Sequence, residues 1–388
     1  MLRSLFSGLL LLSSLSAQAA VQCSAPWSHW ELFAKNWVQH DGRVLESSME
    51  KNHSSSEGQS YALFFSLVAN DQARFEKIWR WSRENLAGND PVNTLPAWHW
   101  GQGKDGLWKA QDANSASDAD LWFAYALLEA DRLWNKPAYR EDGMALLAQI
   151  KGREVKNLPG LGYTLLPGPF GFEYPGHLWR LNASYQPVFM MRRLAVIDPQ
   201  GPWEAIANQT PKLIRGNGDH GFAADWIGYR AVSETSGVFT SAPLGGDYSS
   251  YDAIRVYLWA GMTDPQDPLF KPVLDNLQGM SRVVAAKGMP PEKANVLTGE
   301  TEGVSIIGFS SALVPFLHAL DQPWLADLQY KRAITAFDKW QAGTATPPVY
   351  YDYMLSLFGL GWADGRYRFA LDGRVQPYWE KPCSATTR

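Results

Sequence analysis

The stretch Ser56-Glu57-Gly58-Gln59-Ser60-Tyr61 runs directly into the apolar segment Ala62 to Ala69. Ser56 and Gln59 have the S-x-x-Q spacing of a capping box, which predicts a helix whose first residue is Glu57. A glutamate at a helix N-terminus ordinarily interacts favourably with the helix dipole and needs no other role. Because the segment that follows carries no charge, we expect this helix to be buried on all sides.

The same arrangement recurs along the chain, in Ser117-Asp118-Ala119-Asp120 and in Ser249-Ser250-Tyr251-Asp252. Apolar residues at helical spacing predict twelve helices in all. The predicted ranges are 27–40, 57–69, 72–86, 118–134, 137–150, 184–198, 202–215, 251–262, 268–281, 304–320, 324–341 and 349–361.

Every second predicted helix is rich in apolar and small residues, whereas those between carry charges along one face. A helix that is apolar all round is buried, and an amphipathic one is peripheral. The alternation therefore predicts an all-α fold, an (α/α)6 barrel of six inner and six outer helices. Residues 160–182 and 219–248 are rich in Gly, Pro and aromatic residues, and we expect them to form loops with short strands.

The first twenty residues have the composition of a signal peptide. Arg3 precedes the apolar run Leu5 to Leu15, and Ala17-Gln18-Ala19 is a typical cleavage signal. We therefore expect residues 1–20 to be removed and residues 21–388 to form one domain in the periplasm or outside the cell. No later segment has the length and apolarity of a membrane span, so we expect no membrane insertion after cleavage.

Charge and cysteine content limit the partners and the covalent chemistry. The net charge of −4 argues against nucleic acid as the ligand. The two cysteines, Cys23 and Cys383, lie at opposite ends of the chain, too far apart in sequence for a metal motif. In an oxidising compartment they could form a disulfide that ties the termini together, or they could remain two free thiols.

Aromatic residues make up 13% of the chain, including 18 Trp. Trp98 and Trp100 lie in a loop-like segment, which is typical of a groove lined with indole rings. Sugar rings have apolar C–H faces that stack on such surfaces, so we expect these two residues to bind a glycan. The alternative, loop tryptophans that cover the core, is equally compatible with the sequence.

The acidic helix starts could meet at one site. In a barrel whose inner helices run parallel, Glu57, Asp118 and Asp252 would share one rim with Tyr185. Paired carboxylates suit glycoside hydrolysis, in which one is protonated and the other ionised. The helix dipole would lower the pKa of Glu57, so an acid there requires burial or a nearby negative charge such as Asp118.

Each acidic residue also has a purely structural interpretation. Asp120 completes an S-x-x-D capping box with Ser117. Asp252 could simply pair with Arg255 across one helical turn. The sequence contains neither the G-x-S-x-G motif of serine hydrolases nor the H-E-x-x-H motif of zinc proteases, and its histidines are scattered. We therefore expect no metal and no cofactor.

These motifs resemble glycoside hydrolase family 8. The segment Ala116 to Asp120, followed by Leu127-Leu128-Glu129-Ala130 and Trp134, is similar to the diagnostic segment of that family, although Phe123 replaces an Ile or Met. The segments around Glu57 and Tyr251-Asp252 resemble those that carry its proton donor and its base. Asn182-Ala183-Ser184-Tyr185 resembles an N-P-S-Y segment. The similarity covers the whole mature chain and is greatest to endoglucanases encoded with bacterial cellulose synthases.

The resemblance implies an (α/α)6 barrel and an inverting mechanism on β-1,4-linked glucans. It assigns Glu57 as the general acid, Asp252 as the base, and Asp118 as the residue that binds and distorts the sugar. Arg255 would hold Asp252 ionised. The residues expected to contact the substrate are Tyr185, Tyr251, Arg255, Trp98, Trp100 and Asp120.

The same resemblance implies an enzyme that trims nascent cellulose beside a cellulose synthase and export complex, and we expect the chain to be a monomer. Two alternatives remain open from the sequence. The first keeps the chemistry but changes the substrate to xylan, chitosan or mixed-linkage glucan. The second is a non-catalytic glycan-binding or assembly protein that has kept the groove.

Overall fold

The computed structural model describes residues 26–46 and 52–380. The predicted signal peptide and both cysteines lie outside these residues. The described residues contain thirteen α-helices, with the bounds α1 Ser28–Trp37, α2 Ser56–Val68, α3 Gln72–Asn85, α4 Ser117–Trp134, α5 Pro137–Arg153, α6 Val188–Ile197, α7 Trp203–Arg215, α8 Ile254–Met262, α9 Phe270–Asp275, α10 Gln278–Lys287, α11 Ile307–Ala319, α12 Pro323–Gln341 and α13 Tyr350–Ala363.

The predicted alternation of buried and peripheral helices is confirmed, and with it the (α/α)6 barrel. The inner helices are α2, α4, α6, α8, α11 and α13. Every residue of α8 is buried, and so is every residue of α2 except Glu57. The outer helix α3, in contrast, buries only its apolar stripe and exposes its charges. Apolar residues on all sides thus place a helix in the inner ring.

The first outer helix packs against the last inner helix and closes the ring. The hydroxyl of Tyr353 in α13 donates a hydrogen bond of 3.0 Å to the carbonyl of His29 in α1. The ring of Tyr353 also lies 4.9 Å from that of Trp37, centroid to centroid. Near the other end of the chain, the indole N–H of Trp379 donates to the carbonyl of Leu67, 3.2 Å away. Both ends of the described chain therefore contact the same side of the barrel.

One predicted helix, 268–281, is in fact two. The chain leaves the helix at Asn276, and α10 begins at Gln278. The break arises because the N–H of Gly279 donates a hydrogen bond of 2.8 Å to the carbonyl of Gly221, which lies in a distant loop. A side chain at this glycine could not fit, since its Cβ would lie 2.4 Å from the carbonyl oxygen of His220. The sequence of the helix itself does not contain this long-range contact.

Three inner helices begin three or four residues later than predicted, among them α11, which begins at Ile307 rather than at residue 304. Helix α6 begins at Val188, after a short 3-10 turn Ala183–Tyr185 and Pro187. Proline lacks the N–H that would continue the earlier turn, which separates the two elements. Helix α8 begins at Ile254 rather than at residue 251, and this leaves Asp252 in a turn ahead of the helix.

The strands form small antiparallel sheets between the helices, and both predicted insertions contain them. The strands of the described residues are β1 Ser54–Ser55, β2 His99–Gln102, β3 Trp108–Asp112, β4 Val155–Leu158, β5 Gly162–Leu165, β6 Glu173–Tyr174, β7 Leu178–Leu181, β8 Ile227–Ser233, β9 Ser236–Ser241, β10 Tyr248–Ser249, β11 Lys293–Asn295, β12 Thr301–Glu302, β13 Tyr367–Phe369 and β14 Val375–Pro377. They pair as β1-β2-β3, β4-β5, β6-β7-β8-β9, β10-β11-β12 and β13-β14. Strand β1 leads directly into α2 and β10 leads into the turn before α8, so the sheets hold the starts of two inner helices.

No helix in the described ranges is long and apolar enough to cross a membrane.

The buried carboxylate of Glu129 links the last strand, β14, to the barrel by hydrogen bonds. Glu129 in α4 accepts hydrogen bonds from Arg193, 2.6 Å away, and from Arg132, 2.9 Å away. The backbone N–H of Val375 also donates to it, at 3.1 Å. Because the side chain of Glu129 is completely buried, these partners are what compensates its charge among the described residues.

We expect Glu129→Ala to lower the free energy of unfolding by about 3–5 kcal/mol, because Arg193 would be left buried without its partner. Chemical denaturation monitored by tryptophan fluorescence measures this change. Asp327→Ala is the matched control, since Asp327 forms only an exposed ion pair with Lys331, and it should cost under about 1 kcal/mol. Equal losses in the two variants would contradict the proposed role of Glu129.

Candidate active site

The starts of the inner helices surround a cavity of about 470 Å³. Its walls combine carboxyl groups, aromatic rings and one guanidinium, which is the composition that a polar, ring-shaped ligand requires. The carboxyl groups are Glu46, Glu57 and Asp252; the other principal lining residues are Tyr61, Trp98, Tyr185, Tyr251, Arg255, Tyr350 and Tyr351.

A second cavity, of about 640 Å³, lies beside α12. Asp352 is the one carboxyl group among its lining residues, and the cations Lys331, Arg332 and Lys339 accompany it. Because it lacks a second carboxyl group to face Asp352, this cavity does not provide the acid and base pair expected from the sequence.

Glu57 points into the active-site cavity from the first turn of α2. The predicted capping box of Ser56 and Gln59 is wrong, and the helix begins one residue earlier than expected, at Ser56. The N-cap is Ser55, whose hydroxyl oxygen accepts from the N–H of Gly58 at 3.0 Å. The side-chain amide of Gln59 instead donates a hydrogen bond of 2.9 Å to the hydroxyl of Ser82 in α3. It does so because this buried face of α2 packs on that outer helix.

The surroundings of Glu57 oppose the effect of the helix dipole on its pKa. Burial at the cavity wall raises the pKa of Glu57 to about 8, and the negative charges of Asp118 and Glu46 act in the same direction. Hydrogen bonding to the backbone and the charge of Arg255 lower it by less. Burial and a neighbouring carboxylate are the two causes that the sequence analysis required for a protonated acid at this position.

Arg255 connects two of the other predicted residues. One guanidinium nitrogen donates to Asp118 at 2.6 Å, and another donates to Asp252, also at 2.6 Å. The nitrogen that binds Asp118 also donates to the hydroxyl of Tyr61, 2.9 Å away. Since the Arg255 side chain is only 7% exposed, its charge depends on these buried partners for compensation.

Asp118 and Asp252 differ in their access to the cavity. Asp118 is buried behind Arg255 and Tyr61, and its other oxygen accepts from the N–H of Ala119 at 2.9 Å. Burial raises the pKa of Asp118, although Arg255 acts against this change. The side chain of Asp252 remains 29% exposed and lines the cavity. Asp252 is therefore paired with Arg255 and still accessible from the cavity.

Asp225 positions the turn that carries Asp252, and the sequence analysis missed it. One oxygen of Asp225 accepts backbone hydrogen bonds from Ser250 at 2.8 Å, Asp252 at 3.1 Å and Ala253 at 2.8 Å. This side chain thus satisfies the N–H groups that the start of α8 leaves unpaired. The one available signal was an isolated carboxylate between the apolar residues Ala224 and Trp226.

The structure places four of the predicted substrate-contact residues at the cavity wall, namely Trp98, Tyr185, Tyr251 and Arg255. It adds Tyr350 and Tyr351, which the sequence analysis did not select. The hydroxyl of Tyr351 donates to the carbonyl of Tyr251 and so links α13 to the turn before α8.

Trp100 lies away from the cavity wall, contrary to expectation. Its ring packs 5.2 Å from that of Trp81 and 5.2 Å from that of Trp108, measured between centroids. The guanidinium of Arg43 covers it at 4.3 Å from the ring centroid. Trp100 is therefore buried in a small aromatic cluster, which is the core-covering alternative for a loop tryptophan.

Asp120 is also absent from the cavity wall, and its predicted capping box is wrong. The N-cap of α4 is Ala116, which provides no side-chain hydrogen bond. Asp120 is completely buried and faces Glu154, at the end of α5. The side chain turns inward because the first turn of α4 is enclosed on all sides.

Comparisons with known proteins agree with this geometry. The family model for Glycosyl hydrolases family 8 matches residues 1–365. A protein from Pseudomonas fluorescens strain SBW25 named endoglucanase is 49% identical over 96% of this chain and 95% of its own length. An endoglucanase from Escherichia coli strain K12 is 38% identical over 99% of this chain and 98% of its own.

Solved structures give the same result for the fold. The endo-1,4-D-glucanase from Vibrio fischeri ES114 superposes with a TM-score of 0.84 at 37% identity, covering 92% of this chain and 100% of that one. A cold-adapted family 8 xylanase superposes with a TM-score of 0.61 at 18% identity, over 90% of this chain and 91% of that one. The second likeness concerns the fold alone.

We expect Glu57 to keep its proton at neutral pH and to lose it near pH 8. In Asp118→Asn its pKa should fall, since the negative charge that favours the protonated form is removed while Arg255 remains. The difference infrared spectrum between wild type and Glu57→Gln isolates the C=O stretch of this carboxyl group during a pH titration. The same subtraction in the Asp118→Asn background measures the shift, and an unchanged midpoint would contradict the electrostatic coupling.

Proposed function

The chain belongs to glycosyl hydrolase family 8, and we propose that it is an endo-β-1,4-glucanase that cleaves internal bonds of cellulose-type glucans with inversion. One observation carries the proposal: Glu57, with its raised pKa, lines the same cavity as Asp252, which is paired with Arg255. The names of the relatives that match over nearly the whole chain support the substrate class.

Glu57 and Asp252 divide the chemistry between them. Glu57 gives its proton to the glycosidic oxygen as the bond to the anomeric carbon breaks. Asp252 takes a proton from a water molecule whose oxygen attacks that carbon from the opposite face of the sugar. The new hydroxyl group thus has the inverted configuration. The cycle ends when Glu57 is reprotonated from solvent and Asp252 releases its proton.

The other residues keep these two carboxyl groups in their separate states. Burial and the charge of Asp118 hold the proton on Glu57, and Arg255 pairs with the carboxylate of Asp252, which acts as the base. The exposed part of Asp252 can reach a water molecule in the cavity, whereas Asp118 is buried behind Arg255 and Tyr61. Trp98, Tyr185 and Tyr251 supply flat surfaces for sugar rings.

We further propose that the enzyme is exported to the periplasm and acts there as a monomer beside a cellulose synthase. The signal-peptide pattern of residues 1–20 supports export, and the resemblance to endoglucanases of cellulose synthase operons supports the setting. Fractionation of cells that produce the full chain tests the location. Glucanase activity in the periplasmic fraction is expected, and activity confined to the cytoplasm would contradict export.

Glu57→Gln should lower kcat on carboxymethylcellulose by about 10²- to 10⁴-fold, since the amide cannot donate a proton to the leaving oxygen. Reducing-sugar release measures the loss, with Glu302→Gln as a matched control on an exposed side chain. Wild-type rates on xylan and chitosan are measured in parallel. Faster hydrolysis of either would replace the β-1,4-glucan assignment, and full activity in Glu57→Gln would contradict the acid role.

The first product of cellohexaose cleavage should carry a newly formed α-anomeric end, because a single displacement inverts a β-linkage. Proton NMR spectra recorded in the first minutes of the reaction, before mutarotation, distinguish the two anomers. Asp252→Asn should lower the rate by about 10²- to 10⁴-fold, because the attacking water loses its base. A β-anomer as the initial product would mean a retaining mechanism and would exclude Asp252 as the base.

A further inference from the structure

Two carboxyl groups lie together in the wall behind the active-site cavity, and the proposed mechanism does not use either. Asp120 belongs to the first turn of α4, and Glu154 directly follows α5. Both are 0% exposed. Their carboxyl groups are within hydrogen-bonding reach of each other, and the hydroxyl of Ser115 donates to Glu154 at 2.7 Å.

The described protein provides no cation to neutralise this pair. Among residues 26–46 and 52–380, no ion pair includes Asp120 or Glu154. The charged groups that act on the pair are Asp118, which is already bound to Arg255, and Arg153, whose side chain is exposed. Two buried carboxylates this close repel each other, and nothing nearby offsets both charges.

The pair has more hydrogen-bond acceptors than donors around it. The hydroxyl of Ser115 donates to one oxygen of Glu154 and lies near Asp120, and among the described residues no other N–H or O–H group donates to either carboxyl group. An ionised carboxylate can only accept hydrogen bonds, so two ionised groups cannot satisfy each other. A single proton between Asp120 and Glu154 removes one charge and supplies the missing donor.

The position of the pair connects it to the catalytic cleft. Asp120 lies two residues beyond Asp118, on the same helical turn. The backbone beside the pair is also fastened, since the N–H of Ser117 donates to the carbonyl of Pro167 at 3.0 Å and the N–H of Leu166 donates to that of Glu154 at 2.8 Å. Together these contacts join the first turn of α4 to the segment 154–167.

We propose that Asp120 and Glu154 share one proton and that this pair is a positioning element, which fixes the first turn of α4 and thereby the place of Asp118 in the site. The catalytic consequence rests on the proposed function, whereas the shared proton does not. Burial raises the pKa of Glu154 to about 7 and raises that of Asp120 well above its usual range, with the charge of the neighbouring carboxyl groups adding to both. The pair therefore keeps its proton at neutral pH.

The pH dependence of stability tests the shared proton without any substrate. Unfolded carboxyl groups lose their protons near pH 4, whereas the folded pair retains one at higher pH. The folded chain thus binds more protons between pH 5 and pH 7, so this pair makes the free energy of unfolding fall as pH rises. In Glu154→Gln the amide donates to Asp120 and no proton is needed. The slope in that range should become less steep by at least one proton.

Urea denaturation of the full chain at several pH values measures this slope. Asp327→Asn, on the exposed surface, is the matched control and should leave the slope unchanged. A slope in Glu154→Gln equal to that of wild type would overturn the shared proton. Asp120→Asn provides an independent second variant, for which the same reduction is expected because its amide can donate to Glu154.

Kinetics of the same variants test the positioning role. Glu154→Ala leaves Asp120 without its partner, and we expect kcat to fall by about 10- to 100-fold with a smaller change in KM, because displaced catalytic groups act chiefly on the chemical step. Glu154→Gln restores a hydrogen bond and should recover most of that loss. Equal losses in both variants would overturn the role of the hydrogen bond.

The two readouts separate this proposal from the proposed function. A wild-type enzyme without glucanase activity would contradict the proposed function, yet the change in slope would still support the shared proton. If Glu154→Ala does not fold, the slope and the kcat of Glu154→Gln and Asp120→Asn decide the proposal. A normal slope in both would then overturn it.

Discussion

The buried guanidinium of Arg255 is the constraint on which the site depends. A cation at this depth is stable only when anions and hydrogen-bond acceptors surround it. Asp118 from α4, Asp252 from the turn before α8 and Tyr61 from α2 meet this requirement. Because these partners come from α2, α4 and the turn before α8, and Arg255 itself belongs to α8, the need to compensate one side chain fixes the relative positions of these three helix starts. This arrangement leaves part of the Asp252 carboxylate exposed to the cavity.

The distribution of charge around Arg255 also explains how carboxyl groups in one cleft can hold different protonation states. Asp118 compensates Arg255 yet still acts on Glu57, whose pKa rises because burial and two neighbouring anions outweigh the helix dipole. Behind the cleft, Asp120 and Glu154 are joined by the proton we assign to them, so that only one negative charge is added there.

Periodicity and composition were sufficient to predict the barrel and the helix starts that carry Glu57 and Asp118, because both depend on patterns within single segments. Contacts between distant segments were not predictable in this way. Asp225 holds the turn at Asp252 from a loop 27 residues away in the sequence. Gln59 was misassigned to a cap because its true partners lie in α3 and in the loop before α2. Capping motifs therefore failed where tertiary hydrogen bonds competed for the same side chain.

The central claim is that one glycosidic bond lies between Glu57 and Asp252, with the acid on one side and the water on the other. The crystal structure of Glu57→Gln soaked with cellohexaose tests it most directly. The account predicts the substituted side chain within hydrogen-bonding distance of a glycosidic oxygen, and a water molecule held by Asp252 on the opposite face of the adjoining anomeric carbon. A sugar chain that bypasses position 57, or one in which Asp252 lies on the same face as the leaving oxygen, would contradict it.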